Sequence, residues 1–134
     1  MSIQDFLLTN VQQNETKEVR FKRFKSPFVI RSIDEIVNDE LKKRATRKTK
    51  NRQGITVSEF NQDQYINNLV IECVVTPDLH NAELQEAYGT TGDAIKTLKK
   101  MLRAGEYATL GDEIKSINGF DEDVNDLVEE VKND

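Results

Sequence analysis

The 134-residue sequence is 37% hydrophobic and 32% charged, with a formal net charge of -5 and a mean hydropathy of -0.64. That predicts one domain with a modest core and a broad solvated surface. There is no apolar run of about 18 residues and no basic, then apolar, start in MSIQDFLLTN, so neither a transmembrane span nor a secretory signal is expected.

Cys73 is the only cysteine. It rules out an intramolecular disulfide framework and suits a reducing compartment. Charge is divided unevenly along the chain. Residues 1–54 hold 13 Lys or Arg against 7 Asp or Glu, and residues 55–134 hold 6 against 17. The two parts are expected to attract each other or to steer different partners, and nucleic acid is an awkward partner for the acidic one.

In chain order, Ser2 is placed to cap a short helix burying Ile3, Phe6 and Leu7, and the polar stretch 9–16 reads as a linker. From Glu18 the period shortens to two. Val19, Phe21 and Arg23 alternate with Arg20, Lys22 and Phe24, Lys25-Ser26-Pro27 breaks the run, and Phe28-Val29-Ile30-Arg31 resumes it. This predicts a β-hairpin with strands over about 18–24 and 28–32. A lone hairpin is marginal in water, so it is expected to lie against helices.

Ser32 and Glu35 form an S-x-x-E capping box for a helix over about 33–46 that carries Ile36, Val37 and Leu41. Asn61 and Gln64 open the next helix, about 62–75. There Tyr65, Ile66, Leu69, Val70, Cys73 and Val74 recur at helical spacing, and apolar Ile71 and Val75 mark it as the central one. Pro77 is expected to end it. Shorter helices are predicted over about 82–88, 93–102 and 106–117, the last with Tyr107, Leu110, Ile114 and Ile117 on one stripe before Asn118-Gly119. A final helix over about 122–131 would carry Val124, Leu127, Val128 and Val131. The expected fold class is α+β, mostly α-helical: a compact helical domain with an N-terminal β-hairpin, in a single domain over 1–134.

Lys42 to Arg52, KKRATRKTKNR, has seven Lys or Arg in eleven positions. The segment lacks an aromatic for base stacking and matches no nucleic-acid-binding motif. It reads as a frayed helix end running into a mobile basic loop over about 44–58. The alternative is a phosphate-contacting segment of a small nucleic-acid-associated protein, whose affinity would fall steeply with salt.

Reactive centres are scarce. One histidine, His80, and one cysteine cannot assemble a zinc cluster. Cys73, inside LVIECVV, reads as a small buried hydrophobe. Asp121–Asp126 imitates a calcium loop, but Asp126 and Lys132 stand where glycine and glutamate are required. Gly89-Thr90-Thr91-Gly92 precedes a helix without a preceding strand or a Gly-Lys-Ser/Thr, so a turn with Thr90 and Asp93 as a box-like cap is expected. Glu106-Tyr107 is the most enzyme-like pair, and its plainer role is a helix start and a packing ring. No catalytic residue, cofactor or metal is expected.

Three segments carry a resemblance: FKSPFVIRSI at Phe24–Ile33, YINNLVIECVVTPDLHNAELQEAYG at Tyr65–Gly89, and KKMLRAGEYATLGDEIKSINGFDEDVNDLVEEVKN at Lys99–Asn133. Their order and spacing resemble the XkdN-like tail assembly chaperones of phages and prophages over roughly residues 17–133. The most specific points are Pro77-Asp78-Leu79, Met101-Leu102 through Gly105-Glu106-Tyr107, and Ile117 through Asp121. The resemblance implies a non-enzymatic protein of the bacterial host cytoplasm, absent from the mature virion. It implies binding to the tape-measure protein, keeping it soluble during tail morphogenesis, and recruitment of the tail-tube protein. Self-association is left open, no membrane is expected, and nucleic acid is disfavoured. In many members a frameshift adds a C-terminally extended product. A partner face is expected on Tyr107, Leu110, Phe120, Val124, Leu127, Val128 and Val131, the alternative being that the last four close the domain's own core.

Overall fold

The computed structural model describes residues 2–8 and 15–120. About 48% of those residues are helical and 19% lie in strands, so the fold is mixed α+β with two small antiparallel sheets. The N-terminal hairpin is present, and a second hairpin lies where a loop was expected.

Residues 2–8 make a single 3-10 turn over Ile3–Phe6. The Ser2 hydroxyl accepts from the Gln4 amide, and the Asp5 carboxylate accepts from the Ser2 amide. The cap falls where the sequence places it, but Ile3, Phe6, Leu7 and Leu8 are exposed rather than buried. One turn is too short to develop an apolar face against a core.

The first sheet contains β1 (Thr16–Val19), β2 (Phe28–Arg31) and β5 (Val74–Thr76), with β2 central and both pairings antiparallel. Lys17 opposes Ile30 and Val19 opposes Phe28. The alternation that suggests a strand to residue 24 stops at Val19. Phe21 and Phe24 instead fold back edge-on to Phe28, with ring centroids 5.5 and 5.3 Å away. Ser32 adds to the ladder: its amide donates to the Glu15 carbonyl at 2.8 Å, and its hydroxyl accepts from the Glu15 amide. It is therefore not the cap of α1 (Glu35–Arg44). Asp34 is, accepting from the Val37 amide at 2.9 Å.

Beyond α1 the basic segment is an antiparallel ribbon of β3 (Thr46–Lys50) and β4 (Thr56–Phe60), joined by a turn with Gly54 at φ +78°. This corrects the loop expected over 44–58. Threonines 46, 49 and 56 and Val57 supply β-branched positions, and the alternation of the strand places Arg47 on one face and Lys48 and Lys50 on the other. The Asn61 amide donates to the Ala45 carbonyl at 2.8 Å and closes the ribbon's base.

Helix α2 (Gln62–Cys73) is capped by Asn61, as read from the sequence. It ends before the predicted residue 75 because Val74 leaves to pair with Ile30. A cis peptide then joins Thr76 to Pro77. Three helices complete the described chain: α3 (Ala82–Ala87), α4 (Ala94–Met101) and α5 (Ala104–Ile117). The helix predicted over 122–131 lies outside the described residues.

The core gathers Phe28 and Ile30 from the sheet, Leu41 from α1, Leu69, Val70 and Cys73 from α2, Leu98 and Met101 from α4, and Leu110 and Ile114 from α5. Helix α2 packs on α1, α4 and α5, which makes it central as its apolar run suggests.

Candidate interaction site

Helix α5 begins at a clamp. One Glu106 oxygen accepts from the Arg103 amide at 2.7 Å, and both oxygens accept from the Arg23 guanidinium, with Nε at 3.1 and 3.2 Å. Arg23 also donates to the Met101 carbonyl at 2.9 Å, so one side chain ties the β1–β2 loop to the α4–α5 junction. Arg23, and next the Arg103 amide, hold the Glu106 carboxyl below the usual carboxylate range. A carboxylate engaged on both oxygens is a poor general base.

Its contribution to stability is complete above the unfolded value of about 4.3 and is lost as pH falls through the depressed folded value. Glu106→Gln should therefore lower the urea midpoint at neutral pH. The difference from the parent should be smaller at an acid pH below the depressed folded value, where both chains carry a neutral group at this position, than at neutral pH. Urea melts at the two pH values check this.

Tyr107 is half-buried, with the Lys99 ammonium 5.6 Å from its ring centroid, and burial raises its phenol above the ordinary value. The pair thus serves as clamp and packing ring. Cys73 is fully buried and its thiol is pushed up by burial. Its polar neighbour is the Asn118 side-chain amide at 3.5 Å, not His80, whose own amide donates to Asp78.

The Gly89–Gly92 loop is folded onto a buried glutamine. Gln85 donates to the Leu79 carbonyl and accepts from the Gly92 amide, each at 2.9 Å. The hydroxyls of Thr90 and Thr97 share a hydrogen bond beneath it. The Asp93 carboxylate caps α4 through the Lys96 amide, so the amides that would cradle a phosphate already have an acid and a glutamine. To the start of α4 Thr90 contributes its carbonyl, which accepts from the Asp93 amide, and it is not the side-chain cap. Among the described residues no group of three His, Cys, Asp or Glu is placed to hold a metal, and no helix is long and apolar enough to cross a membrane. The acidic stretch Asp121–Asp126 lies outside them.

The far end of α5 is closed by Asn118-Gly119-Phe120. With Gly119 at φ +79°, its amide donates to the Ser116 carbonyl and the Phe120 amide to that of Lys115, a Schellman ending that only glycine enters without strain. The Asn118 carboxamide accepts from the Ile33 amide and donates to the Ile114 carbonyl, each at 2.8 Å. This fixes the end of α5 beside the start of α1. Phe120 then leaves the body 46% exposed.

Of the seven residues expected on a partner face, Leu110 is 0% exposed and belongs to the core. Every stripe on an amphipathic helix has a deepest position, and periodicity does not separate that position from its accessible flanks. Tyr107 is half-buried and Phe120 exposed, while Val124, Leu127, Val128 and Val131 lie outside the described residues. Ile55 and Phe60, not singled out in the sequence, are exposed in the fold, and so are Ile36, expected with Val37 and Leu41 on α1, and Val75, expected within the central helix. Only Ile36 carried a signal, standing apart from the Val37–Leu41 face.

The model of the phage XkdN-like tail assembly chaperone proteins matches residues 3–132. The chain belongs to this family. The phage-like element PBSX protein XkdN of Bacillus subtilis is 36% identical over 109 residues, which is 80% of this chain and 72% of that one. The uncharacterized protein YqbN of the same organism is 34% identical over 108 residues, with the same shares covered. The crystal structure of YqbN superposes with a TM-score of 0.71 at 27% identity, covering 89% of this chain and 97% of its own. In this tail assembly chaperone the Arg23–Glu106 clamp and the Asn118-Gly119-Phe120 ending fix the two ends of α5.

Proposed function

We propose that the chain binds the tape-measure protein and keeps it soluble in the host cytoplasm while the tail is built, without catalysis and without entering the mature virion. The observation that carries this reading is membership of the tail assembly chaperone family. Two features support it. The polar groups resembling catalytic ones are engaged in internal clamps, and exposed Phe120 leads from the end of α5 into a segment where Val124, Leu127, Val128 and Val131 recur at helical spacing. Apolar side chains offered at a surface, on a molecule whose net charge keeps the complex dispersed, are what a reversible holder of a long apolar helix needs. Several copies along one long partner gain by avidity from individually weak contacts, and the tail-tube protein is a second expected partner.

Co-expression tests the proposal. The tape-measure protein of the same phage should move from the insoluble to the soluble fraction and co-purify with this chain. An unchanged soluble fraction without co-purification would contradict it.

A further inference from the structure

The β3–β4 ribbon presents a charge pattern that the chaperone role leaves unused. Of the seven cations of Lys42–Arg52, which run from the last turn of α1 into the ribbon, Arg47 pairs with Glu59 at 3.2 Å and Lys42 lies 3.9 Å from Glu35. Lys43, Arg44, Lys48, Lys50 and Arg52 have no carboxylate partner among the described residues. A trough of about 510 Å³ lined by Asp39, Lys42, Lys43, Thr46 and Lys48 runs between the last turn of α1 and β3. Lysines on an open strand also deter edge-to-edge pairing. That role accounts for Lys48 and Lys50, but not for Lys43, Arg44 and Arg52, which lie off the ladder.

We infer that this basic ribbon and trough dock the chain's own acidic segment, residues 121–134. The segment carries seven acids against a single lysine, and Lys42–Arg52 carries seven cations and no acid. The geometry suits an intramolecular contact. Asn118 bonds to Ile33 at the start of α1, while the ribbon leaves from Ala45 at its end. The two roots are therefore separated by the ten residues of α1, about 15 Å. Fourteen residues span roughly 20 Å even as a helix and about 45 Å when extended. A tethered partner within reach acts at an effective concentration near millimolar. A nucleic acid must instead approach a molecule of net charge -5. Asp39 is the one acid in the trough and disfavours the contact on that side.

Docking would cover positions 124–131 until a partner competes for them. That consequence rests on the function proposed above; the contact itself does not. The test is therefore made on the chain alone. A nitroxide is attached to full-length protein at Asn133→Cys, since buried Cys73 is shielded from the reagent. Amide broadening is then read along the isotope-labelled chain.

Broadening at residues 42–52 should be about threefold greater at 0.02 M than at 1 M salt, where the Debye length falls to roughly 3 Å. It should also disappear in the Lys48→Glu, Lys50→Glu variant, whose substitutions lie on exposed positions. Three results would overturn the inference. One is broadening insensitive to salt and to charge reversal. Another is broadening of equal size when nitroxide and isotope sit on different molecules, which identifies a second copy as the occupant. The last is a ribbon that responds only to added single-stranded oligonucleotide.

Discussion

Replacing Ile30 with alanine should cost about 2–5 kcal/mol of folding stability. Ile30 is 0% exposed on the central strand of the first sheet, opposite Lys17 on one side and Val74 on the other, and it faces the core that α2 and α5 complete. The truncation removes apolar burial and leaves a cavity, and a strand held between two neighbours has little freedom to collapse into it. A domain of this size has a total stability on the order of 5–15 kcal/mol. The loss should therefore appear as a fall in Tm on the order of 10 °C. Calorimetry on the parent and Ile30→Ala checks it, with Ile36→Ala as a control. Ile36 is 76% exposed, and its variant should melt within a degree or two of the parent. Equal melting of all three would mean that the sheet is not part of the cooperative core.

The second large effect is expected at Gln85→Leu, about 2–4 kcal/mol, although the side chain keeps its size. Gln85 is 7% exposed and satisfies two backbone groups that have no other hydrogen-bond partner among the described residues: the Leu79 carbonyl and the Gly92 amide. Leucine fills the space but leaves both groups unpaired, each at about 1–3 kcal/mol before any water enters to relieve them. The expected signature is specific. Hydrogen exchange should accelerate at Gly92 and in the 89–93 loop well beyond the general loss of stability, while exchange in β1 and β2 follows the global change. Thr97→Val provides a comparison, because it removes the partner of Thr90 yet leaves Thr90 its longer contact to the Gln85 carbonyl. It should cost less than Gln85→Leu.

These two sites also mark what could be read from the chain and what could not. Caps with local chemistry were legible: Asn61, Asp93 and the Asn118-Gly119 ending each satisfy amides or carbonyls within five residues of themselves. So were the stripes of α2 and α5, because a period of 3.6 is a local property. Glutamine 85 was not, since its partners are defined only once the 79–92 segment has folded around it. Neither was the true cap of α1. Ser32 and Asp34 are both competent, and the choice was made by a strand partner, Glu15, 17 residues upstream.

Strand β5 was hidden because Val74-Val75-Thr76 continues an apolar helical run without a break, and only pairing with β2 turns it into a strand. The ribbon was hidden for the opposite reason. Its pattern of cations and threonines has no apolar face, so neither period is visible in hydrophobicity. The Arg23–Glu106 clamp joins residues 83 apart, and nothing in either neighbourhood announces it. On the candidate face, the stripe containing Tyr107 and Leu110 was legible, but its depth was not.

Apolar surface, rather than charge or chemistry, is the proposed means by which this tail assembly chaperone holds its partner. Titration calorimetry of the purified chain with an apolar helical segment of the tape-measure protein, at several temperatures and at low and high salt, tests that most directly. A negative heat-capacity change and an affinity that persists at high salt are expected. Absence of binding, or binding that vanishes as salt is raised, would contradict it.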